Sequence, residues 1–206
     1  LESWQKVSAA QPLALHVDVS GDIRKRESIA VTVKLKGQDV RYGSLLIQRA
    51  RGEIRCRNDV VEIDCLGLET SEGSVEAQGR YAIGTRDADL QFSGKISPRL
   101  AAHFLPAERQ KMLEGWEASE PLSLDISAHV NGGRWAEAKA SVQIHAGEFS
   151  YKTVPFRELR VKADWKDGRL SMPELILTRA EGSLSARLDW DRATDLCTFI
   201  FDSTVN

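Results

Sequence analysis

The sequence predicts a mainly β protein: an elongated, repetitive antiparallel sheet, shaped as a curved groove or a solenoid-like stack, made of two copies of a unit of about 109 residues. Three observations predict it. Apolar and polar residues alternate along most of the chain, as in half-buried strands. Turn residues recur every 8 to 14 residues or so, which suits consecutive hairpins. The same pattern also occurs twice, with a short helical segment between the copies.

Short motifs that return about 109 residues later reveal the duplication. Gln11–Leu15 (QPLAL) returns as Glu120–Leu124 (EPLSL), and Glu72–Val75 (EGSV) returns as Glu181–Leu184 (EGSL). The alignment between these motifs needs no gap, and it matches Val33 with Val142, Tyr42 with Tyr151, Leu66 with Leu175, Leu68 with Leu177 and Ala77 with Ala186. Aligned positions are therefore expected to play the same structural part in both copies.

The two copies divide the chain into three parts. Residues 1–97 are a first β repeat that starts at the end of a helix, 98–117 a helical insert, and 118–206 a second, truncated β repeat. Leu1–Trp4 (LESW) resembles Leu113–Trp116 (LEGW), so the first copy has already lost its opening segment. The chain is therefore expected to be an excerpt of a longer repeating protein.

Strands of two-residue period place alternate side chains on one face, and about six or seven strands are expected in each copy. The apolar-face positions are Leu13, Leu15, Val17, Val31, Val33, Leu35, Val75, Ala77, Leu122, Leu124, Ile126, Val142, Ile144, Leu184 and Ala186. Such a face needs an apolar environment. A second sheet, the next coil of a solenoid, or a lipid-like ligand in an open groove would each supply one.

The helical insert is predicted from capping signals. Ser97 is a helix N-cap and Pro98 occupies the first helical position. Pro106 then breaks the helix. A second helix is expected over 107–116, with its apolar side formed by Met112, Leu113 and Trp116. An amphipathic helix between the copies, where separate domains would have a polar linker, favours continuous stacking of the two copies.

Composition excludes several classes of function. The 206 residues carry a net charge of −2 from acids and bases scattered singly, and 42% are hydrophobic. No basic cluster or stacking motif suggests a nucleic-acid partner. No run approaches the roughly 20 apolar residues that cross a bilayer as a helix, so this segment is not expected to span a membrane.

Catalytic and metal-binding motifs are also missing from the sequence. The cysteines, Cys56, Cys65 and Cys197, have no metal-ligand spacing and are expected to be free thiols. The four histidines share no ligand spacing, and no nucleophile elbow occurs. Asp189 and Asp191 lack the remaining ligands of a calcium loop. The chain is therefore expected to be no enzyme and to bind no metal or cofactor.

The order and spacing of strand and turn motifs in the second copy resemble those of a known family. The segments that carry the resemblance are Ala146–Tyr151, Val154–Leu159 and the hairpin Asp167–Leu175. Small-residue strands at Glu181–Ala186 and Glu72–Gly79 complete it. Together they are similar to the C-terminal repeat region of the AsmA-like proteins, a group related to TamB. The first copy departs from the pattern, because Arg57-Asn58-Asp59 replaces the Asp-Gly turn and Cys65 breaks a polar position.

The resemblance implies a large periplasmic protein that is anchored in the inner membrane by a segment outside this chain. It implies a hydrophobic β groove that shields lipid acyl chains and supports phospholipid transport to the outer membrane and envelope biogenesis. The implied partners are phospholipid or another lipid, and envelope proteins at either membrane. The alternative from the residues alone is a structural or adhesive tandem sandwich or solenoid, with a closed core and no lipid.

Overall fold

Strands dominate the computed structural model, which describes residues 7–9, 13–22, 24–25, 28–43, 45–134 and 137–204. About 70% of the fold is strand and 8% is helix, and the predicted fold class is confirmed. The expectations for Leu1–Trp4, Gln11, Pro12 and the last two residues of the second repeat, Val205 and Asn206, lie outside the described residues.

The first copy contains seven strands: β1 (Val7–Ala9), β2 (Ala14–Ser20), β3 (Ala30–Tyr42), β4 (Leu45–Arg57), β5 (Val60–Thr70), β6 (Gly73–Ala82) and β7 (Asp87–Ile96). Two helices follow, α1 (Pro98–Phe104) and α2 (Ala107–Gln110), and then a 3₁₀ turn at Lys111–Leu113. The second copy contains β8 (Trp116–Ala118), β9 (Leu122–Val130), β10 (Lys139–Ala146), β11 (Phe149–Tyr151), β12 (Val154–Phe156), β13 (Glu158–Lys166), β14 (Arg169–Arg179), β15 (Gly182–Asp191) and β16 (Leu196–Ser203).

Thirteen of these strands form one antiparallel sheet, which we call the large sheet. Its order is β1-β3-β4-β5-β6-β7-β9-β10-β13-β14-β15-β16, and β2 pairs with β3 beside β1. The other three strands form a small sheet in the order β12-β11-β8. The large sheet is not closed into a barrel. Within the described residues, its two outer edges are therefore β2 with β1 at one end and β16 at the other.

The two copies are joined by direct strand pairing. The last strand of the first copy, β7, pairs antiparallel with β9 from Ala88 opposite Val130 to Ile96 opposite Leu122. One sheet thus runs through both copies without interruption. The continuity predicted from the amphipathic insert is present as a continuous sheet.

The repeat extends to individual pairings and irregularities. Val7 lies opposite Tyr42 in the first copy, and Trp116 lies opposite Tyr151 at the equivalent place in the second. The ladder between β5 and β6 shifts register between Ile63 and Leu66, and the ladder between β14 and β15 shifts between Met172 and Leu175. A bulge bends a strand and increases its twist. Both copies therefore bend the sheet at the same positions.

The expected six or seven strands hold for the first copy but are wrong for the second, which has nine. The counterparts of β3 and β4 are each divided, into β10 with β11 and into β12 with β13. Gly147 stands at the first division, where it offers no side chain to pack. At the second, the backbone N–H of Arg157 donates to the carbonyl of Thr178 at 2.8 Å. The detached ends form the small sheet.

The insert begins as predicted. Ser97 caps α1: its hydroxyl accepts from the N–H of Leu100 at 3.0 Å, and Pro98 is in the first turn. The second half differs from the expectation, because α2 is only four residues long and Trp116 begins a strand. Gly115 has φ +82°, a conformation that ends the helical turn before β8. Met112 is exposed and does not contribute to an apolar side.

The best-packed core lies where α1 meets the large sheet. Leu100 of α1 is only 2% exposed. It belongs to a cluster with Val40, Leu45, Ile47, Ala50, Val75 and Ile96, and Leu68, Phe92, Ala101, Leu122 and Leu124 pack around it. Because these residues come from both copies, α1 sits over one end of their junction. The helix thereby closes one end of the apolar side of the sheet.

Candidate functional site

One side of the large sheet is apolar from β2 to β16, and we call it the apolar face. Pairing carries it across the strands: Val17 lies opposite Val33, and Val33 opposite Ile54. At the junction Phe92 lies opposite Ile126, which lies opposite Val142. Directly opposite residues on neighbouring strands point to the same side of a sheet. Pairs of this kind continue to β16, where Phe201 lies opposite Ala186.

The apolar positions predicted from sequence all lie on or beside this face. Leu15, Val17, Val31, Val33 and Leu35 share it in β2 and β3, and Val75 and Ala77 share it in β6. Leu122, Leu124, Ile126, Val142 and Ile144 continue it in β9 and β10, and Leu184 and Ala186 in β15. Leu13 precedes β2, and its side chain lies over Gly37 of β3. The structure therefore brings the predicted positions together as one surface.

Several residues of the apolar face escaped the sequence pattern because bulges change the parity of the alternation. In β5 the face is formed by Val61 and Ile63 before the bulge and by Leu66 and Leu68 after it. The equivalent shift in β14 has the same effect on the counterparts of these residues. There Leu170 and Met172 precede the shift, and Leu175 and Leu177 follow it. The alignment of the copies was the signal for them, since it pairs both Leu66 and Leu68 with leucines.

Most of the apolar face is only partly covered. Leu66 is 37% exposed and Tyr81 is 40% exposed in the middle strands of the first copy. Leu100 and Ala101 of α1 pack onto one end of this side, and the small sheet pairs with no strand of the large sheet. Large apolar side chains in the centre of a sheet are normally buried. The apolar face is therefore an extended surface that still presents apolar side chains to its surroundings.

In the second copy, the part of the structure equivalent to the strand ends that α1 covers in the first is the small sheet, and stacked aromatic side chains pack there. Phe149 is buried, and the centroid of its ring lies 4.4 Å from that of Trp116 and 4.9 Å from that of Phe156. These three residues hold the small sheet together. Val154, the counterpart of buried Leu45, is exposed. The second copy thus leaves more of its apolar end uncovered than the first.

The opposite side of the large sheet is polar and carries cross-strand ion pairs. Arg55 pairs with Asp64, and Arg51 pairs with Glu76. Arg51 reaches Glu76 across Gly67, where a Cβ would come within 2.9 Å of the guanidinium Nε. Lys34 lies 3.7 Å from Glu53. These charged side chains are exposed to solvent, so this side of the large sheet is polar and the apolar face is the side available for apolar contacts.

A polar depression of about 390 Å³ lies on this side, at the junction of the copies. Its lining includes the carboxylates of Asp64, Glu76 and Asp125 and the amides of Gln78 and Gln91. Such a lining does not suit an apolar ligand. The apolar face, by contrast, offers its side chains as an open surface.

Two of the groups with shifted pKa values lie on interior strands of the large sheet, His129 on β9 and Glu158 on β13. The Asp89 carboxylate, and then Asn131, raise the pKa of His129, while burial and Lys139 oppose the rise. His129 and Asp89 are directly opposite each other across the β7–β9 junction. Hydrogen bonding from Arg160 lowers the pKa of Glu158 on β13. His129 with Asp89 links β9 to β7, and Glu158 with His145, 3.2 Å apart, links β13 to β10.

The described residues offer no set of three or more His, Cys, Asp or Glu side chains that would hold a metal ion. Cys56, Cys65 and Cys197 are free thiols. Cys56 lies on the apolar face, between Val31 and Val61.

Within the described part of the chain, the helices are too short to cross a bilayer. Comparison of the chain with models of protein families, with curated proteins and with solved structures gave no match. The AsmA-like resemblance therefore stays a prediction from the sequence, and the surface chemistry of the sheet is the basis for a functional proposal.

Proposed function

We propose that the apolar face binds lipid acyl chains and shields them from water, in a non-enzymatic role. The single observation that carries the proposal is the extent of the face: it continues across both copies, and α1 covers only one end of it. Burial of apolar surface contributes about 25 cal/mol per Å², so a face of this kind favours a partner with long apolar chains. The described side chains along its middle strands, such as Leu66, Phe92, Ile126 and Val142, are apolar, which suits a ligand held mainly by van der Waals contact.

The setting that we propose is the periplasm of a Gram-negative-type cell, where the chain would belong to a longer protein anchored in the inner membrane. Phospholipid moving toward the outer membrane would be the ligand. The similarity of the second copy to the AsmA-like repeats supports this setting. Contact of this kind would let the ligand slide, because van der Waals attraction is spread over many side chains and gives no single stopping point.

Lipid in the purified protein tests the proposal first. Organic extraction of the purified chain followed by mass spectrometry should recover phospholipid at a reproducible ratio to protein. A preparation that is folded, free of lipid and unable to take up a photoreactive phospholipid would contradict the proposal. That result would favour the alternative of a structural or adhesive module with a closed core.

Paired substitutions on β10 locate the ligand. Val142 lies on the apolar face and Gln143 on the polar side of the same strand. Val142→Lys should lower crosslinking to a photoreactive phospholipid by about tenfold or more, because it buries a charge among the acyl chains. Gln143→Lys adds the same charge on the wetted side and should leave crosslinking unchanged. Equal crosslinking by the two variants, with both folded by circular dichroism, would contradict binding at the apolar face.

A further inference from the structure

We propose that two copies of this chain associate edge to edge, with β16 of one copy pairing antiparallel with β2 of the next in the register that joins β7 to β9. The junction between the repeats inside the molecule supplies the template. In the duplication, β16 is the counterpart of β7 and β2 is the counterpart of β9. The two outer edges of the large sheet therefore carry the same pair of partners that already meet at its centre.

The template predicts the contacts. Inside the molecule Leu90 lies opposite Ala128, and Phe92 lies opposite Ile126. Displaced by one repeat, these pairings place Phe199 of one copy opposite Val19 of the next, and Phe201 opposite Val17. All four side chains belong to the apolar face, so the face would continue from one copy into the next.

The exposure of these four residues agrees with an interface. Phe199 is 58% exposed, Phe201 52%, Val17 50% and Val19 68%. Of their four counterparts at the internal junction, Phe92, Ile126 and Ala128 are half-buried, while Leu90 is 37% exposed. Aromatic and β-branched side chains in directly opposite positions stabilise an antiparallel pair. The proposed pairing would thus cover apolar surface that the single chain leaves in water.

Charge complementarity on the polar side supports the same register. The internal pair of Ser93 with Asp125 becomes Asp202 opposite His16. The His16 side chain is exposed and lies 3.1 Å from Asp18 of its own strand, so Asp202 of the neighbouring copy would bring a second carboxylate to the same imidazole.

Two of the features that protect isolated edge strands are missing from both edges, while each edge carries one aspartate, Asp18 or Asp202. Neither β2 nor β16 contains a proline or a lysine, and each presents a row of apolar side chains. Exposed edges of this composition readily accept another strand. Because the two edges differ, the contact is head to tail, and each added copy leaves one β2 edge and one β16 edge open.

Edge-blocking variants test the proposal. Val17→Lys places a charge on the β2 edge and Phe201→Lys places one on the β16 edge. The wild-type chain should form oligomers that grow with concentration in sedimentation equilibrium, and each variant alone should remain monomeric. An equimolar mixture should form a dimer of one Val17→Lys chain with one Phe201→Lys chain and grow no further, because only one matching pair of edges remains.

Each other outcome contradicts the proposal. A wild-type chain that stays monomeric up to about 1 mM, the range of weak complexes, would overturn it. Self-association of either variant would show pairing of like edges instead. A mixture that stays monomeric, while both variants have the circular dichroism spectrum of the wild type, would rule out the head-to-tail contact. Leu46→Lys, an exposed substitution on β4 away from both edges, serves as the control and should assemble as the wild type does.

Discussion

At the scale of single residues, glycine and histidine show how the sheet depends on a few positions. Gly73 begins β6 with φ +142°, and its counterpart Gly182 begins β15 with φ +152°. The hydroxyl of Thr70 accepts from the N–H of Glu72 and donates to the carbonyl of Gly73, which closes the turn before the strand. The Glu-Gly-Ser motif repeated in the sequence is thus a backbone requirement of the β5–β6 turn and of its counterpart.

Gly73→Ala tests this requirement. A Cβ at position 73 would lie 2.0 Å from the carbonyl oxygen of Lys95, in a backbone conformation that other residues rarely adopt. The free energy of unfolding is expected to fall by about 2 kcal/mol or more, measured by urea denaturation. The control is Gly84→Ala, since a Cβ at Gly84 meets no atom within 4 Å. An equal effect of the two substitutions would contradict the explanation.

His129 makes the junction of the copies sensitive to pH. Because its pKa is raised in the folded chain, folding favours the protonated ring. The resulting stability is fully present below the unfolded pKa of about 6.5 and is lost as the pH rises through the higher folded value. Replacing Asp89 by Asn removes the main cause of the shift. The variant should lose less stability than the wild type when urea midpoints are compared from about pH 6 to about pH 9.

Asp125→Asn is the matched control for this pH dependence. Asp125 lies on the same strand and the same side as His129, but its neighbours across the ladders are the uncharged Ser93 and Gln143. Its pH profile should follow that of the wild type. Parallel profiles for all three proteins would show that the His129–Asp89 pair does not stabilise the junction.

At the scale of elements, α1 connects the hairpin between β5 and β6 to the apolar face. Besides capping α1, Ser97 donates its hydroxyl to the carboxylate of Glu72 at 2.8 Å, and its N–H donates to the carbonyl of Glu72 at 2.9 Å. These bonds place the start of the helix beside the start of β6. Leu100 then points into the cluster that includes Val75 and Ile96.

Leu100→Ala measures how much α1 stabilises the sheet. The side chain is almost fully buried, so its removal should leave a cavity and lower the free energy of unfolding by about 2 to 5 kcal/mol. Arg99→Ala, on the exposed side of the same helix, should change it by no more than about 0.5 kcal/mol. Comparable small effects would mean that α1 packs only loosely on the apolar face.

The elements also show what the sequence could and could not predict. The alternation of apolar and polar residues predicted the sheet and the apolar residues of its regular strands. The pair Ser97-Pro98 predicted the cap of α1. Both signals depend on the spacing of residues that are close in sequence. The bulge after Ile63 shifts the apolar positions by one residue, so a strict two-residue period loses Leu66 and Leu68. Trp116 was expected in a helix because Met112 and Leu113 share its helical spacing. Its pairing with Tyr151 on β11, distant in sequence, decides for a strand.

At the scale of the whole molecule, the two sides of the large sheet have separate tasks. Ion pairs such as Arg55 with Asp64 keep the polar side in contact with water. The apolar face is continuous because the β7–β9 ladder keeps the same side apolar in both copies. A slip of one residue in that ladder would turn every apolar side chain of the second copy toward the polar side. The junction therefore determines whether two repeats make one surface or two.

Because each copy contributes the same number of strand positions, the width of the large sheet increases in proportion to the number of copies. Each copy supplies six neighbouring positions to the large sheet, with β1 and β2 sharing one of them. Neighbouring strands are about 4.8 Å apart, so one copy widens the sheet by about 29 Å. The length of the strands determines the height of the sheet, and the number of copies determines its reach. The two dimensions can change independently. Adding or deleting one copy would change the width of the sheet by about 29 Å and leave the height of its surface unchanged.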